Sequence, residues 1–459
     1  MRPIKLTYWT VLACLGLGGC NTPPERGPQL SATGFPERWQ GAAVSAEALA
    51  GHWLDTFADP KLSALVREAL AANYDLKSAA ARVDAARAEA RIAGSGLWPQ
   101  LGFAAGYERA RVSDTGFGSS GYSAFEAVFS LDWELDVWGR LRATRDASWR
   151  EATAVEADLR GARLSLAARV AQTYFELAEA RLQAEVAEQS IRERRTIVEL
   201  VRGRFARGLT RGLDLRLALT DLANAEALLA DARNRVQGTA RRLEVLLGRY
   251  PSNALADPSP ALPEPPTALR AGLPAALLER RPDLDAAFGR LKAADSRLES
   301  AQKALLPRIA LTASGGTRSP ALTELVDPRA VVWNLALGLA QPIFTGGRLR
   351  GEIRLNQAQV DAALNQYRNT ALKAFQEVEH ALAAEDWLRQ QERALRESVE
   401  QTRQSRTLAV YSYRHGFIEI LTLLDSYRST LSAQSAHLAV RRQLLSNRID
   451  LYLALGGGV

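Results

Sequence analysis

Cysteine, methionine and histidine are scarce in this 459-residue chain, which has two Cys, one Met and four His. His52, His380, His415 and His437 are scattered, so no metal site is expected. The chain also lacks a Gly-x-Ser-x-Gly elbow, a His-Glu-x-x-His pair and a phosphate-loop signature, which argues against an enzyme and against a bound cofactor. Proline is absent between Pro99 and Pro251 and again after Pro342, leaving two stretches of over a hundred residues without the main helix breaker. The net charge of +7 is mild and evenly spread, which excludes a nucleic-acid footprint.

Long apolar runs are missing too, apart from Thr7–Leu17 behind Arg2 and Lys5. That run is shorter than the ~20 residues a spanning helix needs and reads as a secretory signal over residues 1–19. Leu17-Gly18-Gly19-Cys20 looks like a bacterial lipobox, in which the Cys20 thiol receives the lipid, and Cys14 would leave with the signal. The competing reading is a plain signal with an incidental cysteine. A lone exported thiol with no disulfide partner favours acylation, and residues 20–50 are then a lipid-anchored extended segment. Asn21 after the cysteine, by resemblance to Gram-negative lipoproteins, permits transfer to the outer membrane.

What the chain has in quantity is alanine, leucine and charge, the balance of long helices and coiled coils. It also repeats itself. Asp75-Leu76 and Asp283-Leu284, Pro99 and Pro307, Gly139-Arg140-Leu141 and Gly347-Arg348-Leu349, Gly208 and Gly416, and Leu247-Gly248 and Leu455-Gly456 all recur at a spacing of 208 residues. The spacing predicts a duplication: residues 51–250, a Pro-rich linker over 251–266, and residues 267–459. Each half reads as a helix, two strands, a very long helix and a second helix turning back. The helices are expected over 60–97, 140–203 and 213–248, then 270–303, 348–412 and 419–454. Leu364, Tyr367, Ala371, Ala374, Val378 and Ala381 step by three and four, as in a coiled-coil seam. A helix of some sixty residues is on the order of 90 Å long, a length suited to crossing a periplasm.

Period-two alternation marks four strands, over 100–111, 124–136, 308–315 and 331–343. Phe125, Ala127, Phe129, Leu131, Trp133 and Leu135 share one face; Glu126, Ser130, Asp132 and Glu134 share the other. Trp333, Leu335, Leu337 and Leu339 repeat the pattern. Apolar-out and polar-in over about eleven residues is the signature of an outer-membrane barrel strand. The Gly/Ser-rich stretch 113–123 and the segment 314–330 are expected as outward loops. A small soluble sheet capping the helices is the alternative, but no amphipathic partner helix lies nearby. A sheet in hydrocarbon must close, and four strands are too few, so the chain is expected to oligomerise. Periodicity leaves eight, twelve and sixteen strands open.

Several motifs resemble the TolC-like outer-membrane factors, in particular the efflux lipoprotein branch typified by OprM and NodT. They are Glu134-Leu135-Asp136-Val137-Trp138-Gly139-Arg140, Gln341-Pro342-Ile343-Phe344-Thr345-Gly346-Gly347-Arg348, Arg280-Arg281-Pro282-Asp283-Leu284, Leu306-Pro307-Arg308-Ile309 and Leu421-Thr422-Leu423-Leu424-Asp425. The resemblance covers nearly all of the mature chain. It implies a mainly α fold with a small membrane β part. It further implies a homotrimer with a twelve-stranded β-barrel continued by a long α-helical coiled-coil barrel. Its implied partners are outer-membrane lipid, a periplasmic adaptor protein and an inner-membrane transporter of the resistance-nodulation-division (RND) class. The implied role is a passive exit duct for drugs or other small molecules in the Gram-negative outer membrane. A type I protein-secretion duct is the nearest rival, and a non-channel periplasmic structural lipoprotein is the rival of another class.

Three sets of residues are the candidate sites. Gly208 and Gly416 end the long helices, and by resemblance their hairpins are the tips that meet the adaptor. Leu421, Asp425 and Arg428 stand at i, i+4 and i+7, on one helix face, and by resemblance constrict the periplasmic end of the tunnel. Arg428 is expected to pair with Asp425 or its neighbour, and the first half, with Leu213, Leu217 and Thr220 at the matched positions, lacks both gate charges. Glu126, Asp132 and Glu134 are expected on the barrel lumen, favouring cations.

Overall fold

The computed structural model describes residues 53–114, 118–253, 255, 262–264 and 280–457. The expected signal, Cys20, the segment 20–50, most of the Pro-rich linker and the start of the helix expected over 270–303 lie outside the described residues. The helices are α1 (Pro60–Ala72), α2 (Tyr74–Ser95), α3 (Arg140–Ala206), α4 (Gly212–Leu246), α5 (Pro282–Lys303), α6 (Arg348–Arg414) and α7 (Ile420–Ala454). The strands are β1 (Gln100–Asp114), β2 (Gly118–Leu135), β3 (Arg308–Ser319) and β4 (Val331–Ala340). The helices α3 and α6 both have 67 residues, and α4 and α7 both have 35. None of the described helices is long and apolar enough to cross a membrane.

The chain forms two compact units, and each draws on both halves of the sequence. Among described residues the first unit comprises Asp84–Ala154 and Ala287–Tyr367, and so holds all four strands. They form one antiparallel sheet in the order β1-β2-β3-β4. Facing residues in an antiparallel pair share a side, so the register extends each strand's alternation across the sheet. Leu101 faces Leu131, which faces Ala313, which faces Leu335. Phe103 and Phe129 pair one row further on, their rings 4.9 Å apart, and Trp133, Leu311 and Leu337 align on the other side. The result is a single apolar face. It is not covered: Trp333 is 79% and Leu337 69% exposed. Within this unit, α5 packs on the first part of α6 through Leu291, Ala294, Leu298 and Val360.

The strands differ from expectation at their ends. β1 and β2 run on to Asp114 and from Gly118, taking in most of the stretch expected as a loop over 113–123. Gly is a poor strand former singly, but pairing between the two strands continues the ladder through Ser113↔Ser119 and Asp114↔Gly118. β3 likewise runs to Ser319, within the expected loop 314–330, where short 3-10 turns at Leu322–Glu324 and Pro328–Ala330 follow. β4 stops at Ala340 rather than 343, because Pro342 has no N–H for the ladder.

The second unit comprises, among described residues, the segment up to Val83 together with Val155–Ala286 and Arg368 onward. Its core is built on α3 and α7. Trp53 stacks on Tyr452 at 5.6 Å, and Phe57 lies against Phe175 at 5.3 Å. Ala371, Ala374, Val378 and Ala381 of the seam are buried, as their spacing requires. The helix expected over 60–97 is broken at Asn73. Its side-chain oxygen accepts the Leu76 N–H at 3.0 Å and caps α2, while its amide donates to the Leu246 carbonyl at 2.9 Å at the end of α4. Arg281, 208 positions on, makes the corresponding contact, donating to the Ala454 carbonyl at 3.1 Å at the end of α7. Arg281 is 8% exposed and also binds Asp283 at 2.8 Å and Glu377 at 2.6 Å. Burial works against its charge, but the two carboxylates outweigh it and raise the pKa of Arg281.

Candidate tip, constriction and lumen face

A helix commonly ends at a residue that accepts the left-handed conformation. Gly208 and Gly416 have φ of 70° and 80°. In both, the next residue closes back across the turn, Leu209 N–H to the Arg204 carbonyl and Phe417 N–H to the Ser412 carbonyl, each at 2.9 Å. The tips are linked through Arg204, whose guanidinium donates to the Arg414 carbonyl at 3.1 Å at the end of α6. Beneath them Val201, Ala218, Tyr413, Leu423 and Leu424 share a buried cluster. Leu209 and Phe417 stay exposed, as does Leu213 just inside α4.

Leu423 and Leu424 turn α7 inward, which leaves Leu421 and Asp425 on its exposed face. Arg428 does not pair with Asp425. An i, i+3 spacing would let the two side chains meet, but the carboxylate of Asp221 takes the guanidinium. Its Nε instead donates to Oδ1 of Asp221 on α4 at 2.9 Å. The other oxygen of Asp221 accepts from Arg194 Nε of α3 at 2.7 Å, and Arg194 also donates to Ser190. Asp221 is 2% and Arg194 4% exposed. The first half therefore does supply a charge here, one residue beyond Thr220. A buried carboxylate shared by two guanidiniums ties α3, α4 and α7 together.

In the first unit, strand parity places Glu126, Asp132 and Glu134 on the polar side of the sheet together with Glu108, Arg308 and Arg318. They are not equivalent. Glu134 accepts two bonds from Arg140 Nη2, at 2.8 and 2.9 Å. Glu126 stands 4.0 Å from Arg318. Asp132 faces Gln100 and Thr312 and is exposed.

The segment Glu134–Arg140 also makes the strand-to-helix junction. Asp136 accepts the N–H groups of Leu141 and Arg142, both at 2.9 Å, and so caps α3. Burial pushes its carboxyl upward, but those N–H groups and the Arg142 guanidinium prevail and hold it below the usual carboxylate value. The Trp138 indole N–H donates to the Pro307 carbonyl at 2.7 Å. Gly139 has φ of 77°, and a Cβ there would lie 3.1 Å from Lys303 Nζ.

The family model described as outer membrane efflux protein matches residues 65–249 and again 273–457. OprJ of Pseudomonas aeruginosa, an outer membrane protein, is 33% identical, the match covering 100% of this chain and 97% of that protein. The pyoverdine export outer membrane protein OpmQ of Pseudomonas putida is 32% identical over 97% of this chain and 96% of its own length. Among solved structures, the open-state outer membrane channel MtrE of Neisseria gonorrhoeae superposes with a TM-score of 0.83 at 30% identity, covering 95% of this chain and 98% of that one. The outer-membrane channel OprN superposes with a TM-score of 0.85 at 28% identity, over 90% of this chain and 94% of that one. The twice-matched family model and these full-length relatives make the chain a member of the outer membrane efflux protein family.

Proposed function

We propose that this protein is the outer-membrane channel of a tripartite efflux system, a passive duct through which small molecules leave a Gram-negative cell. The observation that carries this reading is the sheet: four antiparallel strands, one continuous exposed apolar face, and two open edges at β1 and β4. An edge in lipid leaves its backbone groups without partners, so β1 of one copy pairs with β4 of the next. Three copies give the twelve-stranded barrel expected of the family, and the paired lengths of α3 and α6 and of α4 and α7 fit a duplicated unit. Cys20 carries the lipid that anchors the chain.

In the trimer, Leu421 and Asp425 form a narrow apolar and acidic constriction, and Arg428 holds it by its bond to Asp221. The tips at Gly208 and Gly416 meet a periplasmic adaptor, which joins the duct to an RND-class transporter. OpmQ carries pyoverdine export in its name, and other relatives carry toluene or antibiotic efflux, which supports a small-molecule cargo. The test is reconstitution of purified protein in planar bilayers, together with crosslinking of the intact cell. Discrete conductance and capture of a proton-driven transporter are expected. A sealed bilayer would overturn the channel, and capture of an ATP-driven exporter with a protein cargo would assign secretion instead.

A further inference from the structure

The sheet repeats as closely as the sequence does. Gln100 faces Asp132 across β1 and β2, and 208 positions on from each, Arg308 faces Ala340 across β3 and β4. Leu101 with Leu131 and Ile309 with Leu339 agree. The approach to the strands repeats as well: the Trp133 indole N–H donates to the Leu97 carbonyl at 3.0 Å, and 208 positions on, the Gln341 amide donates to the Leu305 carbonyl at 2.8 Å. The two hairpins are therefore one unit in two copies, with no insertion between their paired residues.

Two such units meet once within the chain, where the second strand of the first hairpin, β2, pairs with the first strand of the second, β3. The strands left at the edges, β4 and β1, are their counterparts. When copies close into a ring, β4 of one meets β1 of the next, so the junction joins the same two kinds of strand. Sidedness alone lets that pairing slip by two residues, because an even slip keeps every side chain on its own face. The repeat removes this freedom. Phe129 faces Gly315, Leu131 faces Ala313 and Asp132 faces Thr312 inside the chain, and moving each β2 residue on and each β3 residue back by 208 gives Leu337 with Tyr107, Leu339 with Ala105 and Ala340 with Ala104.

We infer that β4 pairs with β1 of a second copy of this chain in that one register, with Leu337 opposite Tyr107, Leu339 opposite Ala105 and Ala340 opposite Ala104 of the next copy. The inference rests on the reading of the sheet as one part of a closed barrel. On the apolar face it sets a leucine against an aromatic ring, a pair that favours strand association. On the polar face the two seams differ. Where the seam inside the chain sets Asp132 against Thr312, the seam between copies sets Ala340 against Ala104, a pair with no group to hold an ion.

The experiment is disulfide crosslinking of the full-length chain in isolated membranes, oxidised with copper phenanthroline and separated without reductant. Within one chain Ala104 and Ala340 lie on the two edge strands of a four-stranded sheet, about 14 Å apart at the usual strand spacing, so a bond between cysteines there must join two copies. Facing residues of an antiparallel pair have Cα atoms about 4.5–5.5 Å apart, within disulfide reach. The double variants A104C/A340C and A105C/L339C, adjacent rows of the ladder, are expected to give covalent oligomers. The slipped pairs G106C/A340C and A104C/G338C should give on the order of tenfold less, their cysteines lying about 7–8 Å apart. D132C/T312C, the matching pair inside the chain, should close within a single copy and shows that oxidant reaches the polar side. Oligomers formed best by a slipped pair would overturn the register and leave the barrel standing. No bond between copies in any of the four, with D132C/T312C closed, would overturn the register and the closed barrel together.

Discussion

Arg428 reaches from the second hairpin to Asp221 in the first, donating from Nε at 2.9 Å to a carboxylate whose other oxygen is held by Arg194. The two arginines differ in depth: Arg194 is buried, while the Arg428 side chain is 55% exposed. Removing Arg428 leaves the buried pair whole, whereas removing Asp221 strands a buried cation. Arg428→Ala should therefore raise single-channel conductance with little change in thermal stability. Asp221→Ala should raise conductance and also cost about 3–5 kcal/mol of stability. Bilayer recordings paired with thermal unfolding separate the two effects.

Asp425 makes no contribution to that tie and lies on the exposed face of α7, the face of the proposed constriction. Asp425→Ala is expected to raise single-channel conductance while leaving the unfolding temperature unchanged. An unaltered conductance would remove Asp425 from the constriction.

Ion preference should follow the least neutralised carboxylate on the polar face. Of the three acids expected on the lumen, Glu134 is held by Arg140 through two bonds and Glu126 stands near Arg318, which leaves Asp132 as the exposed one of the three. Reversal potentials under a salt gradient should show Asp132→Asn weakening cation preference more than Glu134→Gln does.

Glycine at positive φ is used in two distinct ways. At Gly208, with φ of 70°, a Cβ meets nothing within 4 Å, so Gly208→Ala costs only the left-handed strain of about 1–2 kcal/mol. At Gly248, φ is 73° but a Cβ would sit 2.8 Å from the Ala72 carbonyl oxygen. Gly248→Ala should destabilise more than Gly208→Ala, as thermal unfolding will register.

Glu392 on α6 binds His437 of α7 at 2.9 Å and Arg396 at 2.8 Å. Burial raises its carboxyl pKa, but those two partners overcome it and the net shift is downward. A depressed folded-state pKa stabilises above the ordinary carboxylate range, and that stability is lost as pH falls through the lowered value. Glu392→Gln should cost about 1–3 kcal/mol at pH 7. It should also flatten the acid limb of a plot of unfolding temperature against pH.

Strand faces were legible in the sequence because alternation is local: Phe125 through Leu135 and Trp333 through Leu339 lie on the sides their spacing predicts. So was the seam from Tyr367 to Ala381. The strand ends were not legible, since Gly118–Ser123 pairs only because Arg109–Asp114 runs beside it. The break at Asn73 was hidden for a related reason. Asn73 reads as one polar residue in an alanine-rich helix until the end of α4, 173 positions away, presents its carbonyl. The partner of Arg428 lies 207 positions off, and the nearer Asp425 drew the expectation because it is close in sequence. The motif Glu134–Arg140 was recognisable by resemblance, whereas its chemistry of cap, ion pair and left-handed glycine arises only when the strand end folds back on the start of α3.

A chain written twice from one plan runs a hazard while it folds: the start of either half can dock on the wrong helix end. Asn73 and Arg281 fill matching places and seek matching carbonyls, yet one is a neutral amide and the other a cation that also needs Glu377. The position matching Glu377 in the first half is Arg169. An Arg281 that strayed there would meet a like charge instead of a carboxylate. The two seams thus act as locks cut to different keys, and divergence between the copies guards the order of assembly.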